Sequence, residues 1–380
     1  MPKNSHFSQK ILTWFETSGR HDLPWQQHKK EQSDIYAVWL SEIMLQQTQV
    51  STVIPYFQRF IAKFPTVIDL AAADWDEIAN LWAGLGYYAR AKNLHQGAKQ
   101  VADFIKRTGN FPQSVDQWQT IKGVGQSTAG AIVAMGVRGF GVICDGNVKR
   151  VLSRWAMISD DINKTATQKQ LWQLAQALTP KHDSGKYAQA MMDLGATICT
   201  KNRPKCTLCP ISADCQAYQK ANPVNYPVKN KSKEKPKRYS FAFQLIQENT
   251  AKTLWLKRQS VTKQHGIWEG LWCLPLLDSD VPFDGDTYQP SFNQGLGNCQ
   301  LGETVLFEML KNKPLSTSVI HTIKHTLSHF HWYLTLVELK ISPALAAEIE
   351  QRLIKNNVSF RWQACNDGFA KPKAMINLLK

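Results

Sequence analysis

The spacing of four cysteines limits what this chain can fold into more than any other feature. Cys199, Cys206, Cys209 and Cys215 follow the pattern C-x6-C-x2-C-x5-C within ICTKNRPKCTLCPISADC. Loops this short bring four thiolates around one small centre, and both a zinc ion and a [4Fe–4S] cube accept four cysteines. The spacing leaves both open, although structural zinc sites more often pair two C-x2-C arms and only one arm is present. A disulfide framework does not suit a long chain whose start, MPKNSHFSQK, lacks the apolar stretch of a signal peptide. Nor do about 18 apolar residues run together anywhere. The expectation is a soluble, intracellular (cytoplasmic) protein with a metal centre.

At 380 residues, 43% of them hydrophobic, the chain has material for two cores. From Ile11 to about Ala221 apolar residues recur at three- and four-residue spacing, as in Tyr36, Leu40 and Ile43, which predicts helices. Between Gln219 and Arg238, KANPVNYPVKNKSKEKPKR carries three prolines and many lysines without apolar periodicity, and reads as a linker. Beyond it, Tyr239–Ile246, Lys252–Arg258 and His329–Leu339 are aromatic and β-branched and read as strands, while Gly302–Leu310 and Pro343–Ile354 read as helices. The expected organisation is a mainly α domain over 1–221, a linker over 222–238 and an α+β domain over 239–380. Forty-five Lys and Arg against thirty Asp and Glu leave a net charge of +15, which favours a polyanionic partner.

Three segments of the helical region carry candidate chemistry. In IKGVGQSTAGAI, Gly123 and Gly125 bracket Val124 ahead of a helix-forming run, so backbone N–H groups can approach a phosphate, although a tight interhelical turn uses glycine as well. In VICDGNVKRVLSR, Asp145 precedes a helix bearing Lys149, Arg150 and Arg154, either as its N-cap or as a working carboxylate. In VWLSEIMLQQTQV, Glu42 lies one helical turn from Trp39 and Leu45; a carboxyl shielded by them would hold a proton for a leaving group, whereas an exposed one would be ordinary surface. Lys201, Arg203 and Lys205, between the first two cysteines, suit phosphate contact.

Together, LPW (Leu23 to Trp25), VWLSEIMLQQTQV, LWAGLGYYARAKNL, GVGQSTAGAI, CDGNVKRVLSR, MMDLGATICT and the four-cysteine loop resemble the helix–hairpin–helix iron–sulfur DNA glycosylases, and among them the adenine glycosylases of the MutY family. The resemblance implies a helix–hairpin–helix domain with a [4Fe–4S] cluster on the four cysteines. It also implies base-excision repair, by hydrolysis of the N-glycosidic bond of adenine mispaired with 8-oxoguanine or guanine in double-stranded DNA. Glu42 would protonate adenine at N7, Asp145 would stabilise the oxocarbenium-like sugar, and Asn147 would orient Asp145. Trp25 and Gln26 lie where the family lines its adenine pocket. Gln47, Thr48, Leu85 and Tyr87 would meet the duplex, with Gln47, Leu85 and Tyr87 filling or wedging it beside the partner base. Gly123, Gly125 and Ser127 form the hairpin side. Ser127 stands where the related endonuclease III type carries a nucleophilic lysine, so base removal without strand cleavage is expected. The alternatives are a bifunctional glycosylase/lyase and a non-catalytic lesion sensor. The implied state is a monomer on DNA, with other repair proteins as further partners.

In the second domain, GIWEGLWCLP (Gly266 to Pro275) resembles the family's carboxy-terminal, Nudix-like domain. The glutamate run that a Nudix hydrolase needs is missing, since GLGNCQLGETVLFEML carries only Glu303 and Glu308. Recognition of the oxidised base is the remaining use. HTLSHFHWYL matches the loop that the family writes Phe-Ser-His, here Leu327, Ser328 and His329. Leucine removes a stacking surface that on a base is worth roughly 1–3 kcal/mol.

Overall fold

Helices dominate the first part of the chain, as its three-to-four periodicity requires. The computed structural model describes residues 6–27, 34–230, 234–259, 267–279, 299–311, 313, 315 and 317–380. Residues 1–5 and 231–233, and the ends Gly266 and 295–298 of two motifs quoted above, lie outside the described residues. The helix Phe7–Ser18 buries Phe7, Ile11 and Phe15, spaced by four, and Phe7 meets Trp155 edge-on at 4.6 Å. That stripe joins a core built from Val148, Val151, Leu152, Leu171, Tyr187 and Leu194 among others. The helix Ile35–Leu45 is buried nearly all round, through Tyr36, Ala37, Trp39, Leu40, Ser41, Ile43 and Met44, so it runs through the interior rather than lying on the surface.

Among the described residues the carboxy-terminal part is built on seven strands: β1 (Lys237–Gln247), β2 (Thr253–Lys257), β3 (Trp272–Cys273), β4 (Leu276–Ser279), β5 (Thr317–Thr326), β6 (His331–Ile341) and β7 (Phe360–Gln363). Their order is β3-β2-β1-β6-β5, with β4 added to β1 and β7 to β2. β1 pairs parallel with β6 along its whole length and antiparallel with β4. Side chains alternate between faces: Phe241, Phe243 and Leu245 pack under the helices Leu301–Leu310 and Pro343–Lys355, while Ala242 faces a second core with Trp255, Trp332 and Met375. A sheet covered on both faces accommodates the buried parallel pair. β5 escapes a reading by apolar pattern because TSVIHTIKHT alternates with polar residues.

By internal contacts the chain divides into two units, 1–73 with 89–232 and 74–88 with 233–380. The expected boundaries placed Asp74–Tyr88 in the helical domain. It groups with the sheet instead, because Ala79 shares a buried cluster with Leu271 and Ala370, against which Trp75, Tyr88 and Trp268 pack. The expected linker is also tied down: Tyr226 O accepts from Arg154 Nε (3.0 Å) and Val228 O from the Ile162 amide (2.9 Å). Among the described residues no helix is long and apolar enough to cross a membrane.

Candidate active site

Glu42 sits near the end of the buried helix Ile35–Leu45, beside fully buried Trp39 and partly buried Leu45. Burial pushes its carboxyl up to about 8, and the charge of Asp145 pushes in the same direction. A feature absent from the sequence reading fixes the helix end. Arg90, buried on the helix Tyr88–Thr108, donates to the carbonyls of Ile43 (3.0 Å), Met44 (2.8 Å) and Gln46, and to Thr48 Oγ1 (3.1 Å). A guanidinium satisfies carbonyls that a helix terminus otherwise leaves open. Gln47 follows in the left-handed region at φ 58° and is exposed.

Asp145 is indeed the N-cap of the helix Gly146–Trp155, accepting from the Val148 amide at 2.9 Å. The capping expectation therefore holds. Asn147 Nδ2 lies 3.4 Å from its other oxygen, and Asn147 Oδ1 accepts from Arg150 (2.8 Å), which also donates to the carbonyls of Gly195 (2.7 Å) and Cys199 (2.8 Å). Burial raises the Asp145 carboxyl, against the pull of the Val148 and Asn147 amides and of Arg150 and Lys149. Glu42 has no comparable set of donors and cations lowering it. When the two share one proton, it therefore belongs on Glu42.

The hairpin docks against the segment leading to Asp145. Gly123 takes φ 81°, and a Cβ there would lie 2.7 Å from Asn93 Cβ. Gly125 is the exposed, extended N-cap of Gln126–Ala131, which continues as a π-helix over Ile132–Val137. Gly130 permits close backbone approach, since a Cβ there would lie 1.9 Å from Val142 O. Ser127 Oγ accepts from the Cys144 amide (2.9 Å), so the residue occupying the lysine position braces the residue before Asp145.

A cleft of about 720 Å³ is bordered by Trp25, Gln26, Val38, Ser41, Arg138 and Gln189. Ser41 immediately precedes Glu42, but neither Glu42 nor Asp145 lines this cleft. Trp25 is buried edge-on to Phe57 (5.5 Å), while Gln26 spends its amide on the loop itself, accepting from the Leu23 amide (3.1 Å) and donating to Arg20 O (3.0 Å). Sequence reasoning missed Asp193. Its buried carboxylate accepts from Arg20 Nη2 (2.5 Å), Nε (3.0 Å) and backbone N (2.7 Å), and from Gln189 (2.9 Å), joining two walls of the cleft.

Cys199, Cys206, Cys209 and Cys215 line one small cavity with Arg154. Arg154, 1% exposed, donates to Cys199 Sγ (3.3 Å) and to the carbonyls of Thr200 (2.7 Å) and Lys201 (2.8 Å). Among the described residues no three Cys, His, Asp or Glu side chains gather closely enough to hold a metal ion.

In the second unit, Leu85 is 5% exposed and Tyr87 57%, so only the tyrosine presents its side chain outward. Leu327, Ser328 and His329 form the turn between β5 and β6. Leu327 closes it through its amide to Phe330 O (3.0 Å), while Ser328 and His329 are exposed and hydrogen-bonded to each other at about 3 Å. Glu303 is committed to structure, accepting from Arg258 (2.9 Å) and from the Gln300 (2.7 Å) and Leu276 (3.3 Å) amides.

Comparison with known proteins points the same way. Residues 40–177 match the family model described as HhH-GPD superfamily base excision DNA repair protein. The adenine DNA glycosylase of Buchnera aphidicola (from Acyrthosiphon pisum) is 42% identical over 269 residues, 71% of this chain and 73% of that protein. The human adenine DNA glycosylase is 43% identical over 219 residues, 56% of this chain and 40% of that protein. Among solved structures, a thermostable thymine-DNA glycosylase superposes with a TM-score of 0.51 at 28% identity, covering 57% of this chain and 97% of that one.

Proposed function

The chain belongs to the adenine DNA glycosylases, hydrolases of base-excision repair that act on adenine mispairs in DNA, and from that premise we propose that Glu42 and Asp145 carry the chemistry. The observation that carries the proposal is the unequal support of two interacting, partly buried carboxyls. At neutral pH the Glu42 carboxyl keeps its proton, while amides and cations favour the Asp145 anion. Glu42 gives its proton to N7 of an adenine extruded from the stack, an extrusion common to glycosylases as a class. The C1′–N9 bond then breaks and its electron pair leaves with the base. The Asp145 carboxylate faces the positive charge that develops on the sugar, water adds at C1′ and loses its proton, and an abasic site remains. Glycoside hydrolysis divides acid and anion between two carboxyls in the same way. Asn147 orients Asp145, and Trp25 and Gln26 line the side that receives the base.

The finer readings rest on the same residues. Gly123 and Gly125 offer amides to phosphate, joined by Lys201, Arg203 and Lys205, with Gln47, Thr48 and Tyr87 against the duplex, while Leu85 is buried. The four cysteines, which share one cavity with Arg154, suit a [4Fe–4S] cluster. When bound, the cluster supplies Fe–S bonds that pin the loop carrying the three cations. The sheet unit is a Nudix-like reader of the base opposite adenine, through Ser328 and His329, and 8-oxoguanine is the preferred partner. With Ser127 in place of an amine, no Schiff base forms.

The test is single-turnover release of adenine from duplexes with adenine opposite 8-oxoguanine, guanine or thymine, with and without hot alkali. Release from the first two, strand breaks only after alkali, and loss of release in Glu42→Gln with DNA still bound are expected. Unchanged release by Glu42→Gln would remove Glu42 from the mechanism, and breaks without alkali would favour a lyase.

A further inference from the structure

Tyr87 stands on a segment that the sequence places among helices but that packs with the carboxy-terminal sheet. Trp82 Nε1 donates to Gly86 O (2.9 Å) and fixes the turn, in which Gly84, Gly86 and Tyr87 take φ 93°, 79° and 51°. A bulky residue in that region persists only where its surroundings over-determine it. Those surroundings are supplied from the sheet unit. Trp75 Nε1 donates to Gly270 O (3.1 Å), and a Cβ on Gly270 would lie 2.5 Å from that nitrogen, so glycine admits the indole. Asp76 pairs with Lys257 (2.7 Å), and Tyr88 donates its hydroxyl to Lys371 O (3.3 Å).

Trp268 belongs to two clusters at once. On one side it packs with Trp75 and Tyr88 against Ala79, Leu271 and Ala370. On the other it stacks on Trp332 (centroids 4.7 Å apart, planes at 17°) and approaches His325 (6.0 Å). Trp332 in turn meets Phe330 (5.8 Å), the residue that closes the turn bearing Ser328 and His329. A close-packed chain of rigid rings transmits a displacement instead of absorbing it.

We propose that Trp268 couples Tyr87 to the Ser328–His329 turn, so that the two read the base opposite adenine as one element. The inference rests on the reading above that this turn meets the oxidised base. Trp268 is a positioning residue, and its expected effect is on discrimination rather than on the rate of bond breaking.

The experiment measures single-turnover adenine release by the full chain on duplexes with 8-oxoguanine or guanine opposite adenine. Tyr87→Ala, Ser328→Ala and the double variant are compared in the wild-type and Trp268→Ala backgrounds. In the wild-type background the two substitutions are expected to be non-additive. With Trp268→Ala they become additive, and preference for the oxidised partner falls about fivefold or more, the scale of a linked pair of sites. Release opposite guanine stays within about twofold, and Trp268→Phe, which keeps a stacking ring, restores the preference. Gly270→Ala displaces Trp75 from the other side and gives the same loss should Trp268→Ala fold poorly. Persistent non-additivity with Trp268→Ala or Gly270→Ala, or equal loss on both duplexes, overturns the coupling. A wild type without preference for 8-oxoguanine overturns the reading of the turn itself, and the inference with it.

Discussion

Raising the pH from 6 to 9 titrates Glu42 in the folded protein, and both activity and stability should register it. With the carboxyl at about 8, its acid form falls from about nine-tenths at pH 7 to about one-tenth at pH 9, so single-turnover adenine release should drop about tenfold. On the acid side the rate falls as Asp145 takes up a proton, at a pH above the usual carboxylate range. Stability moves in step. Between the ordinary value of 4.5 and about 8 the folded chain holds a proton that the unfolded chain has lost, so stability declines as pH rises through that window and levels off above it. From pH 6 to 9 the loss is at most about 3 kcal/mol, two pH units at 1.36 kcal/mol each, and roughly half that because Glu42 is only partly buried. At about 2–4 °C per kcal/mol the thermal midpoint should fall by about 3–6 °C. Glu42→Gln should be inactive at every pH yet escape that part of the fall. A wild-type rate flat from pH 7 to 9.5, or parallel stability slopes in the two proteins, would refute the assignment of the proton to Glu42.

Further outcomes follow from close contacts. Gly130→Ala would put a methyl group into Val142 O, backbone against backbone; thermal unfolding should show a loss of about 3 kcal/mol or more, together with loss of excision. Arg154→Met orphans the carbonyls of Thr200, Lys201 and Tyr226, each at a cost of about 1–3 kcal/mol. Iron analysis should then fall well below the about four atoms per chain expected of a [4Fe–4S] protein, and unchanged iron would contradict the role given to Arg154. Ser127→Ala removes the acceptor of the Cys144 amide, a bond worth about 1 kcal/mol, and should slow excision about fivefold with DNA affinity unaltered.

The groups proposed to do chemistry were legible in the sequence because each lies in a local pattern. Glu42 stands among apolar neighbours, Asp145 at a helix start, and the cysteines at short spacing. What holds those groups was not legible. Arg90, Arg154 and Asp193 act on partners more than forty, seventy and one hundred and seventy residues away, respectively, and a charged residue that will be buried looks in sequence like one that will be solvated. Leu85 and Tyr87 read alike as duplex contacts, yet the turn buries one and exposes the other. The helical pattern of Trp75–Trp82 was plain; that its apolar face is covered by residues near 270 and 370 was not.

That cover has a consequence for the order of events at the ribosome. The helix Trp75–Trp82 is made early, while Leu271 and Ala370, which close over Ala79, are made much later. Until Ala370 has emerged, Trp75, Ala79 and Tyr88 wait with an apolar face to water, a stage at which nascent proteins stick to one another or to chaperones. A chain released at residue 232 would carry that open face permanently, and its solubility, compared with that of residues 1–380, would measure how much the sheet unit does for the helix Trp75–Trp82.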